Sequence, residues 1–178
     1  MTKLIAYMPT PGGLTGAPRR LLTLASVLKN RGVEVCIASQ SGSELLNAAK
    51  AEGHETVAVD AQGVLALRHG ALFGGGIWFR LRVLAGLLRI NWRLWRCIQQ
   101  RKADVVWIRG SKGIAFGVLG TIASGWPLVW DVDYELPSRG MVRWLHRLGL
   151  WAASEVVFQH ATASEVIFGQ KLALRHRH

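Results

Sequence analysis

The chain predicts an α/β fold, a Rossmann-like, doubly wound, mainly parallel sheet flanked by helices on both faces. Three observations carry that prediction. Apolar runs of strand length alternate with stretches of helical periodicity along the whole chain. The first apolar run leads straight into a glycine-rich stretch, PTPGGLTGAPRR at residues 9–20, that opens a helix. The 178 residues, 50% hydrophobic and 19% charged, suffice for one globular domain with a real core. In such a sheet, ligands bind beyond the carboxyl ends of the strands.

Taken in order, the pattern gives strand 3–8, helix 18–31, strand 33–39, helix 43–52 and strand 55–59. A glycine-rich connection follows, then a long helix of about 77–101, strand 104–108, helix 112–123, strand 127–132, helix 139–152, strand 155–159 and a helical piece from about 162. Pro18 suits the first helical position, which needs no N–H. Ser41 and Glu44 have capping-box spacing, and Gly32 and Gly53 sit where helices stop. Residues 113–130 carry no charge and approach the length of a membrane span, but Gly125 and Pro127 divide them into a helix and the strand PLVWDV. They read as packed core. The domain is expected over residues 1–170, with 171–178, KLALRHRH, as a basic tail consistent with a cloning remnant.

The formal charge is +11, and no acid occurs between Asp60 and Asp104. That block calls for an anionic partner. Within helix 77–101, Arg82, Arg89, Arg93, Arg96 and Gln100 fall on one narrow stripe, while the apolar arc is wider than packing on a sheet requires. Trp92 and Trp95 beside Arg82, Arg89, Arg93 and Arg96 suit the headgroup region of an anionic membrane. Helix 139–152 repeats the theme with Arg139, Arg143, Arg147, Trp144 and Trp151. The alternative is a core helix with an ordinary solvated basic face. Nucleic acid is a poor candidate, because no recognition-helix motif or aromatic stacking platform is present. Cys36 and Cys97 lie inside regular structure without metal-ligand spacing, so no metal is expected, and both read as buried thiols in a reducing compartment. The apolar run after Lys3 stops at Pro9, too short for a signal-peptide core, which places the chain in the cytoplasm as an expectation.

In the glycine-rich stretch, Gly12, Gly13 and Gly16 permit a close backbone approach, and the helix amides with Arg19 and Arg20 form a pocket for an anion such as phosphate. A tight turn without a ligand is the competing reading. A dinucleotide site calls for G-x-G-x-x-G and an acid ending strand two; the chain has GGLTG and ends that strand Ala38-Ser39-Gln40, which disfavours NAD. Ala17 and Pro18 after Gly16 exclude a P-loop. Arg109, Ser111 and Lys112 follow strand four and can hold a phosphate, or can simply close a turn. Asp131, Asp133 and Glu135 cluster at a strand end of a basic chain; the competing reading has them capping helix 139–152 or pairing with Arg139 and Arg143.

The stretch PGGLTGAPRRLLTLASVLKNRGVEVCIAS resembles the opening of family-4-type GT-B glycosyltransferases. ADVVWIRGS resembles that family's strand-four turn, PLVWDVDYELP its strand-five turn and ASEVVFQHATASEVIF the strand near the end of the N-terminal half. The resemblance covers about residues 3–169. It implies one of two Rossmann-like halves, the acceptor side, of an enzyme that transfers a sugar from a nucleotide-sugar donor to an acceptor hydroxyl. The donor-binding C-terminal half is then a partner outside this chain, the acceptor is a glycan or lipid-linked, and the nucleotide sugar is co-substrate with no separate cofactor. By the same resemblance Gly12 and Gly13 present amides to the donor diphosphate or the acceptor. Asp131 or Asp133 stands where family members place a His-Asp pair; with Trp130 preceding Asp131 and no histidine there, an acid would orient the acceptor hydroxyl or stabilise positive charge on the sugar. Glu44 and Glu52 have the spacing of the family's paired glutamates, but those belong to the other half, so this pair reads as solvated surface charge. The isolated chain is expected to be inactive and to sit in the cytoplasm, peripheral to the inner membrane leaflet. The rival reading is a non-catalytic Rossmann-like module binding an anionic ligand, a membrane surface or a partner protein.

Overall fold

The structure, a computed structural model, describes residues 1–10, 13–60, 76–132 and 140–158, the side chains of 140–142 excepted. Its elements are β1 (Lys3–Tyr7), α1 (Gly16–Asn30), β2 (Glu34–Ser39), α2 (Glu44–Ala51), β3 (Glu55–Ala58), α3 (Ile77–Arg101), β4 (Val105–Arg109), α4 (Gly110–Ser124), β5 (Leu128–Val132), α5 (Gly140–Ala152) and β6 (Glu155–Phe158). The six strands form one sheet in the order β3-β2-β1-β4-β5-β6, all pairs parallel. The doubly wound prediction holds, and the expected helical piece from 162 lies outside the described residues.

Strand alternation divides the core. Ile5, Tyr7, Val106, Ile108, Leu128 and Trp130 point to the face covered by α3, α4 and α5. Ala6, Val35, Ile37 and Trp107 point to the face covered by α1 and α2. One register line, Val57, Ala38, Tyr7, Ile108, Trp130 and Val156, crosses the whole sheet and marks where its carboxyl edge begins.

Local chemistry explains the element ends. Gly32 and Gly53 follow α1 and α2 with φ of +81° and +71°, as their positions predict. The cap of α2 differs from expectation: Ser43, not Ser41, accepts from the Leu46 amide at 3.3 Å. The Ser41 amide instead donates to Asp60 Oδ1 at 2.6 Å, because Ser41 belongs to the turn that meets the end of β3. Helix α4 starts two residues before the predicted point, since Gly110 at φ +71° turns the chain from strand to helix without a spacer. Pro18 lies in the first turn of α1, at its third residue.

Apart from Lys112 in its first turn, α4 is uncharged and packs as core, and no helix among the described residues is long and apolar enough to cross a membrane. Its Gly113, Gly117 and Gly120 face Ile108, Leu94 and Asn91. A Cβ on Gly120 would stand 2.3 Å from the Asn91 carbonyl oxygen, so α3 and α4 touch backbone to backbone there. The buried Asn91 fastens the crossing by donating to the Leu87 and Ala115 carbonyls at 2.8 and 3.2 Å and accepting from the Gly120 amide at 3.1 Å.

Helix α3 overhangs the sheet. Its 25 residues span about 37 Å, roughly twice the length of the strands it crosses. Arg93 Nη1 donates to the Asp60 carbonyl at 3.2 Å, so its side chain reaches the carboxyl edge just past the end of β3. Buried positions in α3 begin only at Ile90. Val83 and Leu87 are partly buried against the core, so only the first turns of α3, ahead of Val83, extend past that edge, beside the region where ligands bind in this topology.

Candidate functional site

The order of strands reverses direction between β1 and β4, so the crevice outside their carboxyl ends is the topological switch point. The start of the glycine-rich loop is pinned from β2: Ser39 Oγ donates to the Met8 carbonyl at 2.7 Å, and the Met8 amide donates to the Ala38 carbonyl at 3.0 Å. The far side is held by α2. Glu44 Oε2 accepts from the Leu14 amide at 2.8 Å, and a Cβ on Gly13 would reach that carboxylate at 3.4 Å. Glu44 is thus a brace for the loop and not a merely solvated charge. Glu52, its predicted companion, accepts from Ser26 Oγ at 3.0 Å at the other end of the sheet.

Two helix N-termini open at this crevice. In α1 the N-cap Thr15 makes no side-chain cap bond, in α4 the N-cap Arg109 makes none, and neither helix has an acid in its first turn. Helix α2, by contrast, is capped by Ser43 and carries Glu44 in its first turn. The first-turn amides of α1 and α4 therefore keep their positive potential for an anionic group. Arg19 and Arg20 are exposed on α1, and Lys112 on α4 lies 5.3 Å from the Phe116 ring centroid.

Arg109 and Asp131 are register partners at the ends of β4 and β5. Arg109 Nη1 meets Asp131 Oδ2 at 2.5 Å, with both side chains only 2% exposed. Arg109 is buried beneath the crevice, whereas the sequence placed it on the surface as a phosphate holder. Asp131 takes Arg109 as a partner, and the Arg139 of the competing reading lies outside the described residues. A buried pair of this kind fixes one strand end against the next, because separating it would strand a charge in low dielectric.

Ser111 Oγ and His146 Nε2 share a hydrogen bond of 2.7 Å. His146 is 1% exposed and lies against Trp130, ring centroids 5.7 Å apart, and burial lowers its imidazole pKa below the ordinary 6.5. It is therefore neutral at pH 7, and it orients the Ser111 hydroxyl at the mouth of α4.

The structure brings Gly13, Gly16, Arg19, Arg109, Ser111, Lys112 and Asp131 to one edge of the sheet. Gly12, Asp133 and Glu135 lie outside the described residues. Among the described residues, no group of three or more His, Cys, Asp or Glu side chains is placed to hold a metal ion. Cys36 and Cys97 are buried free thiols, and burial pushes the Cys36 thiol up to about 12. On α3, Arg82, Arg89, Arg96 and Trp92 are exposed, Trp95 is half-buried against α4, and Arg93 is engaged at Asp60. His146 is the residue that sequence reading passed over. Its signal was its place one turn before Gly149, whose missing side chain admits the Trp130 ring.

A parallel 3-2-1-4-5-6 sheet with two uncapped helix N-termini at its switch point defines a Rossmann-like domain. The chain belongs to the glycosyl transferase 4-like domain family, whose model matches residues 15–168. Comparison with curated proteins found no match. Among solved structures it is similar to MurG of Acinetobacter baumannii, at 18% identity and a TM-score of 0.63, over 89% of this chain and 41% of that one. It is similar to Anabaena Alr3699/HepE in complex with UDP, at 15% identity and a TM-score of 0.69, over 98% and 42%. A Listeria monocytogenes protein assigned as a UDP-N-acetylglucosamine 2-epimerase shares the fold at 14% identity and a TM-score of 0.60, over 94% and 42%. The chain spans about two fifths of the length of each of these proteins. The fold and family are those of a GT-B glycosyltransferase N-terminal domain.

Proposed function

We propose that this chain is the acceptor-side half of a glycosyltransferase that moves a sugar from a nucleotide donor to an acceptor hydroxyl. The donor is gripped by a second, C-terminal half, and the reaction takes place where the two halves face each other. One observation carries the reading: in a chain of this family, the first turns of α1 and α4 open without side-chain caps or acids at the switch point of the sheet. Amides placed there stabilise negative charge on a departing diphosphate or on the acceptor oxygen.

Within that cleft, Gly13 and Gly16 let the backbone approach the ligand, and Arg19 and Lys112 add positive charge at its two sides. Ser111, oriented by His146, hydrogen-bonds the acceptor. The buried Arg109–Asp131 pair sets the position of the β4 and β5 ends and thereby the start of α4. With Asp131 held in that pair, the task of orienting the acceptor hydroxyl passes to Asp133, and Glu135 lies near it in sequence as a further acceptor contact.

The test joins the chain to its donor-binding half and supplies radiolabelled nucleotide sugars with a cell extract as acceptor source. Transfer releases nucleoside diphosphate and moves the label to a new molecule, and Ser111→Ala slows it while leaving the fold intact. Because the fold is shared with a protein assigned as an epimerase, the donor is analysed as well. Label retained on an epimerised nucleotide sugar, or no binding of nucleotide sugar, would overturn the reading.

A further inference from the structure

Helix α3 has two apolar faces. Val83, Leu87, Ile90 and Leu94 pack into the core against the sheet. About 140° around the helix, Ile77, Leu81, Leu84, Leu88 and Trp92 form a second stripe. All five face solvent, Leu84 and Leu88 at 53% and Trp92 at 51% exposure. An apolar stripe of this length, on the side away from the sheet, adds nothing to the fold and marks a surface meant to be covered. It starts on the overhanging first turns, beside the cleft mouth, and runs along the outer side of the helix to Trp92.

The flanks of the stripe identify what covers it. Arg80 lies about 90° to one side and Arg82, Arg89 and Arg96 about 90° to the other, so the arginine side chains border the stripe. The Arg96 guanidinium stacks over the Trp92 ring at 4.9 Å to its centroid. No acid stands between Asp60 and Asp104 to soften that field. Apolar residues in the middle, tryptophan at the margin and arginines alone on the flanks match the layered chemistry of an anionic bilayer surface, where acyl chains, headgroup region and phosphates follow one another within a few ångströms. A helix in that position lies in the interface plane and does not span.

We infer that the amino-terminal half of α3 docks on an anionic membrane with the Leu81–Leu84–Leu88 stripe turned into the lipid. The cleft mouth is then held at the bilayer surface, and its acceptor is lipid-borne. The docking stands on this surface alone; the acceptor class rests also on the transferase reading above.

The experiment is co-sedimentation of the 178-residue chain with phosphatidylcholine vesicles, with and without about a third phosphatidylglycerol. Binding is expected to the anionic vesicles and to be weakened by salt. Arg82→Gln and Arg89→Gln should each weaken it about fivefold, and Leu84→Glu with Leu88→Glu by about tenfold or more. Both leucines are surface residues, so an unchanged melting curve will show that the paired variant folds. Equal or negligible sedimentation with both kinds of vesicle overturns the docking, as does a stripe that only makes the chain self-associate in ultracentrifugation. Vesicle binding with sugar transferred only to water-soluble acceptors overturns the acceptor class and leaves the transferase reading standing.

Discussion

Replacing Arg109 with leucine leaves the Asp131 carboxylate without its guanidinium at a position where both side chains are 2% exposed. Removing one partner of a buried pair costs about 3–5 kcal/mol, against about 0–1 kcal/mol for an exposed pair. The magnitude therefore distinguishes a buried strand-end tie from a solvated pair that waits for substrate. For a domain of this size, each kcal/mol moves the melting point by about 2–4 °C, so the expected fall is about 6–20 °C. That is a large part of the 5–15 kcal/mol that stabilises a typical domain. The double replacement Arg109→Leu with Asp131→Leu removes both charges and should regain most of the loss, because the desolvation penalty disappears with them. Urea and thermal unfolding of wild type, both single variants and the double variant give the complete cycle. A single variant that loses less than about 1 kcal/mol, or a double variant no more stable than Arg109→Leu, would refute the assignment of this pair as a buried tie.

Three further outcomes follow from the packing and the site. Gly120→Ala should lower stability by about 1–3 kcal/mol, because its Cβ meets the Asn91 backbone oxygen at 2.3 Å; Gly117→Ala, which meets the movable ends of Leu94 and Ile108, should cost less, as comparative denaturation will show. Ser43→Ala should cost about 1 kcal/mol through loss of the α2 cap, measured the same way, while Ser41→Ala should cost little. Burial holds His146 below the ordinary 6.5, so as the pH falls through that value the unfolded chain takes up the proton before the folded one; stability is full above about 7 and declines towards pH 5 by at most about 1.4 kcal/mol per pH unit for this group. His54, also lowered by burial first and by Lys29 next, adds a slope of the same sign, so His146→Gln should flatten the pH dependence of unfolding without abolishing it.

Much of the fold was legible because periodicity is a local property. The bounds of α3 follow from an unbroken helical pattern between Gly76 and Lys102, and the strands follow from short apolar runs closed by glycine, proline or polar residues. What the sequence did not disclose is what only register and topology create. Arg109 and Asp131 stand 22 positions apart, and nothing near either residue says that β4 and β5 align them. Ser111 and His146 are 35 positions apart and meet only because α5 turns its Gly149 face to Trp130. Glu44 looked like ordinary surface charge because its role depends on the Leu14 amide, 30 residues earlier. The excess width of the apolar arc of α3 was visible, but its overhang was not, since it depends on where β3 ends relative to Arg93.

The most direct measurement is amide hydrogen exchange on the chain assembled with its donor-binding half, with and without the nucleotide sugar it proves to transfer and a membrane extract carrying acceptor. If the open first turns of α1 and α4 form one wall of the transfer cleft, the amides of Gly16, Ala17, Arg19 and residues 110–113 will slow on adding both substrates while those at the amino ends of the strands stay unchanged. Unaltered exchange in those two turns under conditions of active transfer would contradict the account.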